Sequence, residues 1–180
     1  MLESVDDLKL AERLSRREPA AMEELVHRYH ADIYRFLRHL TRRVEDAEDL
    51  AQQTLLRAVN GASRYDGRAP MRAWLFGIAF HEFGRWRRRR LWLPLIGDRP
   101  SPGNPYQKVE DAEVLLKAVS ELSSLVRGVF LLHYVEDLSI LEISAALGIP
   151  EGTVKSRLHA ARTHLKTLLK EDENYVVEPV

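Results

Sequence analysis

The sequence predicts an all-α protein built as two small helical domains. Apolar residues recur at helical period through most of the chain. No strand-like alternation of any length interrupts them. Four of the eight prolines fall between Pro94 and Pro105, together with Gly97 and Gly103, a stretch too rich in helix breakers to be a packed element. The expected layout is a first domain over residues 1–93, a flexible linker over 94–107, a second domain over 108–170 and an acidic tail over 171–180.

The elements follow in order. Leu8, Ala11 and Leu14 space a short amphipathic turn. Pro19 suits the first position of a helix, where its missing N–H costs nothing. Met22, Leu25, Val26, Tyr29, Ile33, Phe36, Leu37 and Leu40 continue at helical period, and Ala47, Leu50, Ala51, Thr54, Leu55 and Ala58 mark a further helix. Gly61 and the stretch Tyr65 to Pro70 break the pattern before a strongly apolar helix over about Met71 to Arg90. Within it Trp74, Phe76, Ile78 and Phe83 read as core.

Composition narrows the chemistry. There is no cysteine, which excludes disulfides, Cys-type zinc sites and thiol nucleophiles. No apolar run reaches membrane-spanning length. The opening MLESVDDLKLAERLSRREP has no apolar core and does not read as a signal peptide. Formal net charge is zero, but its distribution is uneven. Arg85 and Arg87 to Arg90 form one basic cluster; Lys155, Arg157, Arg162, Lys166 and Lys170 form another. Acids gather at Glu45, Asp46, Glu48 and Asp49 and in the tail. Two basic faces on a neutral chain point to a nucleic acid partner, with the acidic face turned to something else.

The sharpest motif is LSILEISAALGIPEGTVKSRLHAARTHL, residues 138–165. Ser139 and Glu142 form an S-x-x-E capping box, which satisfies orphan backbone donors at a helix start. Ile140, Ile143, Ala146 and Leu147 share one face, and Gly148 fits a left-handed cap. Pro150 then opens a second helix with Val154, Leu158, Ala161 and Leu165 as its buried stripe. Short helix, glycine turn, second helix is the helix-turn-helix layout. The second helix would lie in the major groove, presenting Thr153, Lys155, Ser156, Arg157, His159, Ala160 and Arg162. Lys and Arg donate to guanine O6 and N7 or to phosphates.

This segment, with VFLLHYVEDL from Val129 to Leu138 before it, closely resembles region 4 of the extracytoplasmic-function (ECF) σ factors of RNA polymerase. DAEDLAQQTLLRA, Asp46 to Ala58, looks like region 2.2 of that family, and RAWLFGIAFHEFGRWRRRR, Arg72 to Arg90, looks like regions 2.3 and 2.4. The resemblance covers roughly residues 10 to 170. It implies a non-enzymatic initiation factor of the cytoplasm that brings core polymerase to promoters, needs no cofactor or metal of its own, and is restrained by an anti-σ protein. It implies docking of region 2.2 on a coiled coil of β′ through Asp46, Glu48, Asp49, Gln52 and Gln53, of which Asp46, Asp49 and Gln53 follow one side of the helix. It implies recognition of a melted −10 element by Arg64, Tyr65, Arg68, Phe80, His81, Arg85 and Arg88, with the loop Arg64 to Pro70 as a pocket for an unpaired base. The −35 element falls to Thr153, Lys155, Ser156, Arg157, His159 and Arg162, and region 4 also meets the β flap. Many members carry Asn where His81 stands, an acid near Arg85, Arg where Ala160 stands and Pro where Ser123 stands. Serine there is expected to cap the helix.

Other readings fit less well. His81-Glu82 begins an H-E-x-x-H zinc motif, but Arg85 stands at the second histidine. A response-regulator activator would share the helix-turn-helix but needs a receiver domain with apolar strands, which residues 1–90 lack. A protein-binding adaptor would not need two basic faces.

Overall fold

The computed structural model describes residues 2–92 and 118–171. The linker, residues 108–117 of the second domain and the tail beyond Glu171 lie outside the described residues.

The first domain holds α1 (Leu2–Ser15), α2 (Pro19–Thr41), α3 (Val44–Gly61), a 3-10 turn (Ala62–Arg64) and α4 (Met71–Trp92). Pro19 starts α2 as expected, and Arg42 in the left-handed region (φ 63°) ends it. The apolar stripes of α2, α3 and α4 meet in one core: Phe36, Phe76, Leu37 and Leu75 are fully buried, and the Phe36 and Phe76 rings pack edge to face with centroids 5.2 Å apart. The first helix is a full 14-residue element instead of a short turn. Its inward face is Asp7, Leu10, Ala11 and Leu14, while Leu8 is exposed. The inward position at the N-terminal end is therefore one residue, about 100°, away from the expected one, because the buried Asp7 has a polar job described below. Val26 on α2 is likewise exposed, although it fits the period.

The second domain holds α5 (Ser124–Tyr134), α6 (Ile140–Leu147) and α7 (Glu151–Glu171). The capping box forms in full: Ser139 Oγ accepts from the Glu142 N–H and Glu142 Oε2 accepts from the Ser139 N–H at 2.8 Å. Gly148 takes φ 63°, the left-handed cap at which a side chain would be strained. Val154, Leu158, Ala161 and Leu165 are buried as a stripe. Ser123 does stand at the N-cap of α5, but its side chain makes no capping bond.

The domains are in contact. Helix α4 packs against α6, and α2 against α5. Among the described residues there is no strand, and no helix is long and apolar enough to cross a membrane.

Candidate nucleic-acid interface

Helix α4 has two working faces. Trp74, Ile78, His81, Arg85 and Arg88 follow one another at spacings of four and three, so they share one side. Against the C-terminal turns of α3 this side forms an open cavity of about 470 Å³, lined by Arg57, Asn60, Gly61, Arg64, Trp74, Ile78, His81 and Arg85. One wall is aromatic, and three arginines and a histidine surround the rest. Beneath it lies the buried carboxylate of Glu82, paired to both Arg57 and Arg85. One carboxylate cannot neutralise both guanidiniums. Burial, and then Arg57, Arg89 and Arg88, hold Arg85 below the ordinary arginine range. A phosphate arriving here would relieve that repulsion.

The loop leading into α4 is built from the first helix. Asp7 Oδ2 accepts the Met71 N–H at 2.7 Å, capping α4 from 64 residues away, and lies 3.4 Å from the Tyr65 hydroxyl. That hydroxyl donates to the Ala69 carbonyl at 2.7 Å. Burial, then the Asp7 charge, pushes the phenol above its usual range. Tyr65 is thus a strut of the loop, its ring packed at 5.4 Å from Trp74. Arg64 and Arg68 are exposed, and Arg68 pairs with Asp66 at 3.0 Å. Phe80 is 8% exposed and faces the second domain. His81 and Arg88 are open to solvent. The structure therefore gathers Arg64, His81 and Arg85 round one cavity, and leaves Tyr65 and Phe80 out of it.

On α3, Asp49, Gln52 and Gln53 are exposed, and Glu48 lies 3.6 Å from His30 Nε2. Asp46 turns inward. It accepts Trp86 Nε1 at 3.1 Å and Arg90 Nη1 at 2.9 Å, and pairs with Arg43 at 3.0 Å. It ties α3 to the end of α4, while the expected stripe holds: Asp46, Asp49 and Gln53 line one groove between α3 and α4 with Arg85, Trp86 and Arg89. On α7, Lys155, Ser156, His159 and Arg162 are exposed, with Thr153 and Arg157 half-buried beside them. Lys155 pairs loosely with Glu151 at 3.5 Å and Ser156 donates to the Thr153 carbonyl.

A helix-turn-helix with a free basic face thus sits beside a four-helix domain that bears a cationic, aromatic-walled cavity. Comparison with known proteins gives the same pairing. The family model described as σ70 region 2 matches residues 25–93, and that described as σ70 region 4 matches residues 112–165. The ECF RNA polymerase σ factor SigL of Mycobacterium tuberculosis is 35% identical over 162 residues, covering 86% of this chain and 92% of SigL. The chain belongs to the ECF σ factors. SigM of Bacillus subtilis, of the same family, is 33% identical over 160 residues, covering 85% of this chain and 98% of SigM. Among solved structures, the σ factor RpoE of Bartonella quintana, bound to the anti-σ factor NepR, aligns with TM-score 0.65 at 26% identity over 82% of this chain and 96% of that one. CnrH, bound to the cytosolic domain of CnrY, shares the fold with TM-score 0.69 at 24% identity over 92% of this chain and 98% of that one. As a σ factor the chain belongs to a class of transcription initiation factors and not of catalysts.

Sequence reasoning did not find Arg57 and Asn60 in this σ factor. Their signal was present: from Gln53, steps of four and three reach Arg57 and Asn60 on the same face of α3. That face reaches the cavity only because α4 crosses it there, which periodicity does not state.

Proposed function

We propose that the protein directs RNA polymerase to promoters through two spatially separate readers. The first domain, residues 1–93, docks on the β′ coiled coil through Glu48, Asp49, Gln52 and Gln53, with Asp46 holding that helix against α4. It receives an unpaired base of the −10 strand in the cavity beside Trp74. Arg64, Arg68, Arg85 and Arg88 follow the backbone, and His81, Arg57 and Asn60 stand at the base edge. Tyr65 shapes this pocket from behind. The second domain, residues 108–170, lays α7 in the major groove of the −35 element through Thr153, Lys155, Ser156, Arg157, His159 and Arg162, and meets the β flap. Residues 94–107 tether the two and residues 171–180 form an acidic tail. Each reader alone binds weakly, and polymerase makes the second contact effectively intramolecular.

The observation that carries this reading is the Trp74-walled cationic cavity, which suits a flipped base and a phosphate and would not suit duplex DNA. No reaction is assigned to the chain: the active site and its metal belong to polymerase, so the protein is not an enzyme. It works in the cytoplasm and is restrained by an anti-σ protein, as supported by the complex of the Bartonella relative. Run-off transcription with purified core polymerase on a library of promoter fragments tests the reading. Protein-dependent initiation at defined start sites is expected. Absence of both initiation and core binding would leave a plain helix-turn-helix regulator as the better account.

A further inference from the structure

Helix α1 holds the loop Arg64 to Pro70 from behind, at its exit and at its tip. At the exit, the Met71 N–H is among the first donors of α4, which have no partner within their own helix. Met71 is fully buried, which keeps water from that donor. Asp7 Oδ2 accepts it at 2.7 Å. At the tip, Gly67 has φ 71°, and a Cβ built on it would lie 3.2 Å from a Leu8 methyl carbon. Leu8 therefore lies over the turn that Asp66 closes by accepting the Arg68 N–H at 3.1 Å. At the stem, the Tyr65 hydroxyl donates to the Ala69 carbonyl and stands 3.4 Å from the same Asp7 oxygen. Asp7 and Leu8 are neighbours in sequence, so one turn of α1 sets both ends of the loop.

The aromatic wall of the cavity hangs from the same point. Trp74 follows Met71 by three residues, and its N–H donates to the Pro70 carbonyl at 3.1 Å as α4 begins. The direction of that first turn fixes where the indole stands. The described residues that line the cavity come from α3, the 3-10 turn and α4. Asp7 is 7% exposed and has no surface to offer a nucleic acid. A displacement of its carboxylate nevertheless moves the loop and the Trp74 wall together. A pocket that tells one base from another needs its groups held to about 0.5 Å by supports outside it.

We propose that α1 sets the −10 base preference of this protein without touching DNA. Asp7 is the positioning residue for the loop exit and for Trp74, and Leu8 is the stop for the loop tip. This role rests on the reading of the cavity as the −10 base site.

Asp7→Ala, Asp7→Asn and Leu8→Ala test it in run-off transcription with core polymerase. Pairs of promoters that differ in a single −10 base compete in one tube. The ratio of their products reports the ratio of their specificity constants, and it does not depend on how much of the protein is folded. A purely structural role for Asp7 would lower total product and leave the ratio alone. Asp7→Ala and Leu8→Ala should each bring the ratio several-fold closer to one, with core binding and −35 preference at parental values. Asp7→Asn keeps an oxygen for the Met71 N–H and should restore the parental ratio. Leu8 is 43% exposed, so its replacement leaves the core untouched and keeps the test open should Asp7→Ala fold poorly. Parental ratios in the variants would overturn the role of α1, as would an equal loss of preference at −35. A parent protein that initiates with no −10 preference sinks the reading of the cavity and this role with it. A parent with a preference that the variants share sinks the role alone.

Discussion

Asp49 and Asp46 are one turn apart on α3 and do different work. Asp49 is exposed, whereas Asp46 is spent on Trp86, Arg90 and Arg43. Asp49→Lys should abolish co-purification with core polymerase while leaving thermal stability near the parent value. Asp46→Lys should lower stability as well, since it strands a cation beside two arginines. On α7, replacing Lys155 or Arg157 by Ala should weaken −35 binding by about 1–3 kcal/mol each if they read bases. A uniform loss across unrelated sequences, with a shallower salt dependence, would instead assign them to phosphates. Asp7→Ala removes the acceptor for a buried backbone N–H and should cost about 1–3 kcal/mol in urea unfolding. It should also bring the ionisation of Tyr65 back toward the ordinary phenol range, as followed by ultraviolet absorbance.

At the scale of the element, caps and turns separate what α6 does for itself from what its neighbours do for it. Its capping box and the left-handed Gly148 are local and complete. Ser139→Ala should cost about 1 kcal/mol of second-domain stability, read as a lower melting temperature, and should reduce −35 binding only near that temperature. Helix α5 has no such device: Ser123 occupies the N-cap without bonding. Its hold comes from the apolar face at Val129, Leu131 and Leu132 and from Arg127, whose guanidinium reaches the Ser120 and Leu122 carbonyls at 2.8 and 2.9 Å. A serine can fill the position and still not cap, because capping needs the side chain turned toward the first free N–H groups.

Over the whole molecule, charge at the domain contact makes stability depend on pH. His39 on α2 is held below the ordinary imidazole range, first by burial and then by Arg35, Arg38 and, from α5, Arg127. The folded state thus resists a proton that the unfolded chain accepts. Stability from this group is present above the ordinary imidazole range and is lost as pH falls through it. Thermal unfolding between about pH 8 and pH 5 should show that decline, and His39→Gln should flatten it. An unchanged slope in the variant would place the pH dependence elsewhere.

By itself the sequence determined the local and periodic facts of this σ factor: the helices of the described residues, the helix-turn-helix with its capping box and glycine turn, the buried stripes of α3 and α7, and the basic outer face of α7. These follow from contacts within a few residues, where spacing and side-chain chemistry suffice. Only the tertiary structure decided which faces meet. Asp7 caps a helix 64 residues away, so Leu8 yields the inward position that its spacing suggested. Asp46 bonds to Trp86 and Arg90 of α4, while Asp49, on the same groove, stays exposed. Arg57 and Asn60 join the cavity because α4 crosses α3 above them, and Phe80 leaves it for Gly128. Helical period specifies that a face is apolar, small or charged. The partner of that face is chosen by long-range packing, in which a glycine or a buried carboxylate gains its meaning only from the atom placed opposite it.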